Sequence, residues 1–331
     1  MAKQFKALVV SEGPDKSMVR EVRTRTTDEL PAGEVLVRVH YSGLNYKDAL
    51  SAIGNRGVTK QYPHTPGIDA AGVVEESSSS AFRAGDEVIC TGFDLGMDTD
   101  GGFGEYIRVP AGWLVRLPKG MTLKESMIYG TAGFTAALCV DRLLKEGLQP
   151  AAGEVVVTGA TGGVGSLAVG ILARLGYRVI AVTGKMDQKE FLTRLGAAGV
   201  VGRDELDDKS GKPMITARWA GAVDTVGGNI LATVLKSLKP NSAVACCGLV
   251  ASPELHTTVF PFILRGASLF GINSVDRPLE HRRTLWGHLA ADWKPPLLTQ
   301  IARECRLEQL EPEIERILKG GQSGRVIVNL T

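Results

Sequence analysis

Residues 154–165 read EVVVTGATGGVG, a run of β-branched residues followed at once by a cluster of glycines. The run is typical of a buried strand, and residues 164–175 have the apolar spacing of an amphipathic helix. A glycine-rich turn between them lets the backbone approach a pyrophosphate, with the amides of the helix start facing the negative charge. Ala160 replaces the first glycine of the G-x-G-x-x-G pattern, and a purely structural turn is the alternative. We predict a dinucleotide-binding turn whose cofactor contacts come from Thr161, Gly162, Gly163 and Val164.

The sequence on both sides of this turn alternates between strand-like and helix-like patterns. Strands that alternate with helices of this length indicate βαβ units and a parallel sheet. Helical spacing also precedes the turn, from Thr122 to Leu144. The predicted fold class is therefore α/β, with a doubly wound parallel sheet of the Rossmann type. The other elements predicted here are strands at 178–182, 199–201, 221–226 and 242–249 and a helix at 188–195.

The first third of the chain consists of short β-branched runs bounded by Gly and Pro, which is typical of a compact β-rich domain. The carboxyl-terminal part adds a helix at 310–318 and a strand at 325–330, which we interpret as returning to that domain. The predicted strands of the first third are 6–10, 34–41, 67–75, 86–91 and 106–109. The predicted domains are a β-rich catalytic domain, 1–124 with 296–331, and a dinucleotide-binding domain, 125–295.

The tip of the second strand of the parallel sheet bears on the choice between NADH and NADPH. Enzymes that use NAD usually carry an acid about 20 residues beyond the glycines, where it binds the ribose 2′-hydroxyl. Here the tip reads Thr183-Gly184-Lys185 and contains no acid. Thr183 and Lys185 can donate to a 2′-phosphate, and Arg203 adds a second positive charge just past the third strand. We predict NADPH as the cofactor, the alternative being that Lys185 is an ordinary solvated lysine.

The composition is that of an ordinary globular protein, with 44% hydrophobic and 22% charged residues among 331. A net charge of +2 gives no reason to expect a nucleic-acid partner or an anionic membrane surface. No apolar run approaches the ~18–20 residues that span a bilayer, and the amino terminus lacks the features of a secretory signal. We therefore expect a cytoplasmic protein without a membrane or nucleic-acid partner. Its five cysteines show neither disulfide-framework nor C-x-x-C spacing: Cys90, Cys139, Cys246, Cys247 and Cys305.

Several segments spread along the chain resemble one protein family. Together with the glycine turn and the strand tip, they are similar to the medium-chain dehydrogenase/reductase superfamily. Within it, they most resemble the zinc-independent, quinone-oxidoreductase-like branch that contains the acrylyl-CoA reductases. The resemblance covers essentially the whole chain, and its segments 44–48 and 130–136 are specific to the branch. The matching segments are LNYKD at 44–48, PGID at 66–69, GDEV at 85–88, GTAGFTA at 130–136, DTVG at 224–227 and FILR at 262–265.

The resemblance implies a GroES-like catalytic domain built from both chain ends, a nicotinamide bound in the cleft between the domains, and a homodimer. It also implies that Asn45 and Tyr46 line the nicotinamide end of that cleft and are the catalytic residues, with Tyr46 contacting the cofactor as well. Tyr46 is the expected hydrogen-bond donor or proton source, because a phenol keeps its proton at neutral pH. A packing or cofactor-stacking role for Tyr46 is the alternative. We interpret Lys47 and Asp48 as the solvated face of this loop rather than as a pair that orients it.

Further cofactor contacts are also expected from the resemblance. Thr131 is expected to hydrogen-bond the nicotinamide carboxamide or riboside, unless it only caps the helix that follows. Arg325 lies in a turn that resembles the loop closing over the cleft, where it can meet a phosphate of the cofactor or of CoA, or merely a surface acid. Asp224 is interpreted as shaping the cofactor crevice rather than performing acid–base work. The remaining expected cofactor contacts are Leu249, Ile263 and Ser274.

The segments that carry zinc ligands in other members of the superfamily are altered here. Where zinc-containing relatives have a Cys and a Gly-His-Glu, this chain has Asn45 and Gly67-Ile68-Asp69. The cysteine-rich lobe that holds a structural zinc is also missing, because only Cys90 falls in that region. His40 and His64 have no second ligand at a useful spacing. We predict no metal site, so that hydrogen-bond donors of the protein must polarise the substrate carbonyl.

The predicted reaction is NADPH-dependent reduction of the C=C bond of a short 2-enoyl thioester, of the acryloyl-CoA to propanoyl-CoA type. Hydride attacks the β-carbon, and the developing enolate oxygen is stabilised until the α-carbon is protonated. Reduction of quinones or of free α,β-unsaturated carbonyls is the alternative, because substrate choice depends on the pocket rather than on the fold. A non-catalytic crystallin-like or RNA-binding role is the alternative from another class, and the complete glycine turn and near-neutral charge disfavour it.

Overall fold

The computed structural model describes residues 2–331, which form two compact units. Unit 1 contains the residues up to Thr131 together with Val275–Ala290 and Thr299–Thr331. Unit 2 contains Ala132–Ser274 and Ala291–Leu298. The segment 275–290 thus packs with unit 1, whereas the sequence patterns placed it in the dinucleotide-binding domain.

Unit 1 is built mainly from antiparallel strands. Strands β1 and β2 form a two-stranded antiparallel sheet, and a larger sheet has the order β14-β15-β3-β4-β5-β7, with β6 also paired to β3. Within the larger sheet only the β14–β15 pair is parallel. The elements are β1 (Gln4–Glu12), β2 (Met18–Thr26), β3 (Val35–Leu44), α1 (Tyr46–Ala52), β4 (Asp69–Ser77), β5 (Glu87–Thr91), β6 (Tyr106–Val109), β7 (Leu114–Arg116), α7 (Leu279–Ala290), β14 (Ala302–Arg306), α8 (Leu310–Leu318) and β15 (Arg325–Asn329).

Unit 2 contains a six-stranded sheet in the order β10-β9-β8-β11-β12-β13, in which every pair is parallel. This is the 3-2-1-4-5-6 order of the Rossmann fold, which confirms the predicted fold class. The elements are β8 (Glu154–Thr158), α3 (Gly163–Arg174), β9 (Arg178–Thr183), α4 (Lys189–Arg194), β10 (Gly199–Gly202), β11 (Trp219–Asp224), α5 (Gly228–Lys236), β12 (Leu238–Cys246), α6 (Phe260–Arg265) and β13 (Ser268–Gly271).

The central strand β8 shows why a local sequence pattern predicts the sheet of unit 2. Val155, Val156 and Val157 are completely buried, as expected for a parallel strand covered on both faces. Such a strand reads as a continuous apolar run, and its carboxyl end leads directly into the glycine turn. The order of the strands reverses between β8 and β11, and in this fold ligands bind at the carboxyl ends of strands beside that reversal.

The chain passes from unit 1 to unit 2 within helix α2 (Leu123–Lys145), which is interrupted at Gly130. Gly130 has φ 50° and ψ −154°, a conformation that is not helical and that favours glycine. The residues on both sides of the break belong to the predicted helix 122–144, but the break itself was not predicted. Among residues 2–331, the helices fall short of the combination of length and hydropathy that a transmembrane span requires.

Candidate active site

The glycine turn of unit 2 has a backbone that only small residues permit. Gly159 adopts φ +61°, in the left-handed region. A Cβ on Gly165 would collide with the carbonyl oxygen of Gly159, so the first turn of α3 packs directly against the end of β8. Helix α3 follows Gly162 as its amino-terminal cap, which leaves the first amides of a 12-residue helix at the turn. The turn therefore offers backbone donors to an anion at the place where the sequence predicted pyrophosphate binding.

A small groove of about 60 Å³ lies beside this turn. It brings together Thr161, Thr183, Gly184, Lys185 and Arg203, which were all predicted as cofactor contacts from separate segments. The described residues that line the groove include two cations and no acid. A ribose that carries a phosphate fits this lining, because cations and hydroxyl donors favour a phosphate that a carboxylate would repel. Sequence reasoning missed its apolar walls, formed by Val182, Val226 and Ile230.

The polar groups of the groove hold one another in place. The Thr161 and Thr183 hydroxyls lie 3.1 Å apart and are both buried. The backbone N–H of Lys185 donates to the Thr183 hydroxyl over 3.0 Å. The guanidinium of Arg203 lies next to Gly184, where a Cβ would come within 2.8 Å of Arg203 Nη2. Glycine at position 184 is thus needed for Arg203 to reach this position.

Asp224 joins the ends of two strands at this edge of the sheet. Its carboxylate accepts from the Thr158 hydroxyl at the end of β8 (2.6 Å) and from the Gly227 N–H after β11 (2.8 Å). Burial raises the pKa of Asp224, and these donors oppose that effect. The contacts are those of a residue that shapes the crevice, in agreement with the interpretation from sequence.

The other predicted cofactor contacts of unit 2 do not line the groove. Leu249 and Ile263 are exposed side chains, 64% and 68% accessible, and Ser274 is partly buried at the end of unit 2. Their contact with a cofactor stays a prediction.

A second group of polar side chains is buried in unit 1 around Asp69, which has no exposed surface. The Asp69 carboxylate accepts from the Asn45 side-chain amide (2.8 Å) and from the N–H and hydroxyl of Thr131 (2.8 and 2.6 Å). It also pairs with the Arg325 guanidinium at 3.4 Å. Asp69 is the first residue of β4, and Asn45 lies between β3 and α1. Thr131 follows the break in α2, and Arg325 is the first residue of β15. We call Asn45, Asp48, Asp69 and Arg325, which are buried, together with the partly buried Thr131, the buried polar cluster.

Arg325 does not lie where it could contact a phosphate ligand. Its side chain is 2% exposed and donates to the carbonyls of Ile128 (3.1 Å) and Leu44 (3.0 Å) and to Asn45 Oδ1 (3.0 Å). Burial lowers the pKa of Arg325, and the charges of Asp69 and Asp48 oppose this. The expectation that Arg325 binds a cofactor or CoA phosphate is contradicted by this geometry, because the guanidinium is already satisfied inside the protein.

Two glycines, which have no Cβ, provide the space that the cluster occupies. A Cβ on Gly43 would lie 2.6 Å from Arg325 Nη2. A Cβ on Gly130 would overlap the Asp69 carboxylate. The break at Gly130 also turns the Thr131 N–H out of the helix and toward Asp69. The glycine in the 130–136 segment is thus required both for its backbone conformation and for room.

Asp48 is completely buried, and the interpretation of this residue as part of a solvated face is wrong. Its Oδ2 accepts from the backbone N–H of Asn45 (2.7 Å) and from the Asn45 side chain (3.2 Å), and its Oδ1 accepts from the Ile68 N–H (2.8 Å). Burial, and then the charge of Asp69, raise the pKa of Asp48 to about 7, although the three donors favour the ionised form. Lys47, the other half of the pair, is partly exposed.

The two residues predicted as catalytic differ in their surroundings. Asn45 is 8% exposed, and its side chain contacts Gly43, Asp48, Asp69 and Arg325. Tyr46, the first residue of α1, is 52% exposed. Tyr46 is therefore accessible to a substrate, whereas the Asn45 side chain is committed to the cluster behind it. Sequence reasoning missed Asp69 as the centre of the site, although its segment was recognised.

At the positions that the resemblance aligned with zinc ligands, this chain has Asn45, Ile68 and Asp69, and the Asp69 carboxylate is engaged by Asn45, Thr131 and Arg325. Within residues 2–331, no group of three or more His, Cys, Asp and Glu side chains is arranged to hold a metal ion. His64 is buried, with its Nδ1 4.0 Å from an oxygen of Asp100, and burial lowers its pKa.

Comparisons with known proteins agree with both units. The alcohol dehydrogenase GroES-like domain model matches residues 31–119, and the zinc-binding dehydrogenase model matches residues 163–289. The putative quinone oxidoreductase YhfP of Bacillus subtilis is 46% identical over 331 residues, which is all of both chains. The acrylyl-CoA reductase AcuI of Ruegeria pomeroyi is 44% identical over 327 residues, covering 98% of this chain and 99% of that protein.

Solved structures of relatives have the same fold. The yhdH oxidoreductase of Salmonella enterica, in complex with NADP, matches with a TM-score of 0.95 at 42% identity over 99% of this chain and 100% of that chain. The structure of Bacillus subtilis yhfP with NAD bound matches with a TM-score of 0.97 at 45% identity over the same shares of the two chains. With full-length relatives at this identity and both family models in order, the chain belongs to the medium-chain dehydrogenase/reductase superfamily of oxidoreductases.

Proposed function

We propose that this protein is an NADPH-dependent reductase of the C=C bond of short 2-enoyl thioesters, of the acryloyl-CoA to propanoyl-CoA type. The observation that carries the cofactor assignment is the groove in which Thr183, Lys185 and Arg203 meet with no acid among the described lining residues. The substrate assignment is supported by the full-length similarity to the acrylyl-CoA reductase AcuI.

The groove residues give a reason for choosing NADPH over NADH. An acid at the tip of β9 would repel a 2′-phosphate, whereas Arg203 and Lys185 attract it and Thr183 can hydrogen-bond to it. One relative has NADP bound and another has NAD bound, so similarity alone does not decide the question. The two cations of the groove, with no acid among its described lining residues, favour NADPH.

When bound, NADPH supplies the hydride. The protein must then stabilise the enolate oxygen that develops on the thioester and deliver a proton. Tyr46 is the exposed phenol next to the buried polar cluster, and its hydroxyl is suited to donate a hydrogen bond to that oxygen. The cluster acts on substrate only through the residues it holds, because Asn45 and Arg325 are satisfied internally.

Reduction of quinones is the second candidate, and one finding favours it: the putative quinone oxidoreductase YhfP is 46% identical over the whole chain. A quinone is reduced at a conjugated carbonyl by the same hydride donor, so the groove and Tyr46 would serve both substrates. Only the acceptor pocket distinguishes them.

The proposal includes a homodimer formed along the edge of the sheet in unit 2. Strand β13 is one of the two edge strands of this sheet, and helix α6, which precedes it along the chain, carries exposed apolar side chains, with Ile263 68% and Leu264 64% accessible. An exposed apolar patch together with an open strand edge is typical of an interface. Light scattering should give twice the mass of the chain, and Ile263→Asp should give the mass of one.

The function is tested by following the loss of NADPH absorbance with purified protein and four acceptors: acryloyl-CoA, crotonyl-CoA, benzoquinone and methyl vinyl ketone. Turnover of acryloyl-CoA, with a kcat/KM at least tenfold above that for the quinone, is the expected result. NADH in place of NADPH serves as the cofactor control. Turnover of the quinone without turnover of either thioester would establish the second candidate instead.

A further inference from the structure

Asp48 links two parts of unit 1 that carry site residues. Its Oδ2 accepts from the backbone N–H and from the side-chain amide of Asn45, and its Oδ1 accepts the N–H of Ile68, which precedes Asp69. One carboxylate therefore joins the start of α1 to the start of β4. All three of these contacts are made by donors, which is the environment of an ionised carboxylate.

Burial and the like charge of Asp69 oppose that ionised form, whereas the charge of Arg325 favours it. The charged groups that act on it are Asp69 from β4 and Arg325 from β15, while α8 contributes the apolar Leu310 and Ile314 to the packing against α1. The cluster thus holds two buried carboxylates and one guanidinium, and the guanidinium contacts Asp69. Burial and the like charge of Asp69 raise the pKa of Asp48 to about 7.

Protonation of Asp48 would weaken its three contacts. Hydrogen bonds to an ionised carboxylate are about twice as strong as hydrogen bonds to a neutral carboxyl group, and the new O–H would need an acceptor of its own. The hold of Asp48 on Asn45 and Ile68 therefore loosens when Asp48 gains a proton. Two of the three contacts are to Asn45, and the next residue along the chain is Tyr46.

We propose that Asp48 is a positioning residue of the active site: its carboxylate fixes Asn45 and thereby the exposed Tyr46 side chain, and its protonation releases them. This inference rests on the proposed function in that Tyr46 is the group that meets the substrate. The sequence interpretation had placed Asp48 on the surface, and no zinc-ligand or cofactor role accounts for its burial.

The inference predicts that stability and activity move in opposite directions with pH. Because the pKa of Asp48 is raised in the folded protein, the stability linked to it is complete below the unfolded value and is lost as pH rises through about 7. Activity needs the ionised form, so kcat/KM should fall as pH drops below 7, by about tenfold per unit at the lower end. If Asp48 had only a structural role, stability would still change with pH, but the pH profile of kcat/KM would have no acid limb.

The first test compares the wild type with Asp48→Asn and with Asp86→Asn as the matched control. Asp86 is another carboxylate of unit 1, but it pairs with Arg116 away from the cluster. Asp48→Asn should lower kcat at pH 8 by at least tenfold, remove the acid limb and leave the dissociation constant of NADPH unchanged. Asp86→Asn should keep the limb. An acid limb that persists in Asp48→Asn overturns the inference.

The second test needs neither activity nor a folded Asp48 variant. Wild-type protein labelled with ¹³C in the tyrosine rings is titrated by NMR, with the Tyr46 signal assigned by its absence in Tyr46→Phe. The Tyr46 signal should shift with a midpoint near pH 7, and the Tyr106 signal, from the same unit, should not. A Tyr46 signal that is constant from pH 6 to 8 overturns the inference. If the wild type reduces no acceptor while Tyr46 titrates, the proposed function fails and the positioning role stands.

Discussion

The groove of unit 2 and the buried polar cluster of unit 1 both contain arginine, but they satisfy its charge differently. In the groove, Arg203 lies against Gly184 and the described lining residues include no acid. In the cluster, Arg325 is buried and contacts Asp69 and three further acceptors. A cation that the protein has not neutralised is suited to an anionic ligand, whereas a neutralised one serves the fold. The difference explains why only one of the two arginines predicted to meet a phosphate fits that role.

The largest effect should come from removing the cation of the cluster. Arg325→Met leaves Asp69 and Asp48 buried without a counter-charge, so we expect the free energy of unfolding to fall by about 3–5 kcal/mol. Chemical denaturation measures this change. Arg83→Met is the control, because Arg83 is exposed and pairs with Asp86 at the surface, and it should change the stability by less than about 0.5 kcal/mol. Equal losses for the two variants would mean that burial does not distinguish these arginines.

The next effect concerns Tyr46, the accessible group beside the cluster. Tyr46→Phe removes the hydroxyl proposed to stabilise the enolate oxygen, so kcat should fall by about 10²–10³-fold, as when an oxyanion donor is lost. Tyr106→Phe is the control, because Tyr106 packs against Phe5 in the core of the same unit. Steady-state kinetics with the acceptor that turns over fastest measures both. Unchanged kcat in Tyr46→Phe would leave Tyr46 only a packing or cofactor-stacking role.

In the groove, Arg203→Ala should weaken the binding of NADPH without weakening the binding of NADH. Loss of a charge-assisted hydrogen bond costs about 1.5–3 kcal/mol, which corresponds to a rise of about 10–150-fold in the dissociation constant. Arg178→Ala is the control, because Arg178 is an exposed arginine of the same unit that pairs with Glu154. Titration calorimetry with both cofactors separates the outcomes. An equal loss of affinity for NADPH and for NADH would show that Arg203 does not contact the 2′-phosphate.

The two regions also differ in how far the sequence predicts them. The groove is made at strand tips and turns, where short patterns determine the backbone, so Thr161, Thr183, Lys185 and Arg203 could all be named in advance. The cluster depends on contacts between distant segments: Arg325 and Asp69 are 256 positions apart. No local pattern shows that a turn arginine will be buried or that Asp48 will face inward, because both depend on which elements pack together.

The elements that were missed follow the same rule. Helix α1 has only seven residues, too few for a periodic pattern, and β2, in its two-stranded sheet, has charged residues at four of its nine positions, which obscures the apolar alternation of a strand. The strand predicted at 242–249 is found at Leu238–Cys246, because Leu238 pairs with Trp219 of β11 and the chain leaves the sheet after Cys246. Tertiary pairing, rather than residue preference, set these boundaries.

The smallest effect tests whether the hydroxyls of the groove bind ligand or only support it. The Thr183 hydroxyl contacts the Thr161 hydroxyl and accepts the N–H of Lys185, and Thr183→Val keeps its shape while removing both contacts. A neutral hydrogen bond is worth about 1 kcal/mol, so the dissociation constant of NADPH should rise about fivefold. Thr183→Ser should restore the affinity, because serine returns the hydroxyl. If valine binds NADPH as tightly as threonine, Lys185 and Arg203, rather than the hydroxyls, determine the preference of the groove for a phosphate.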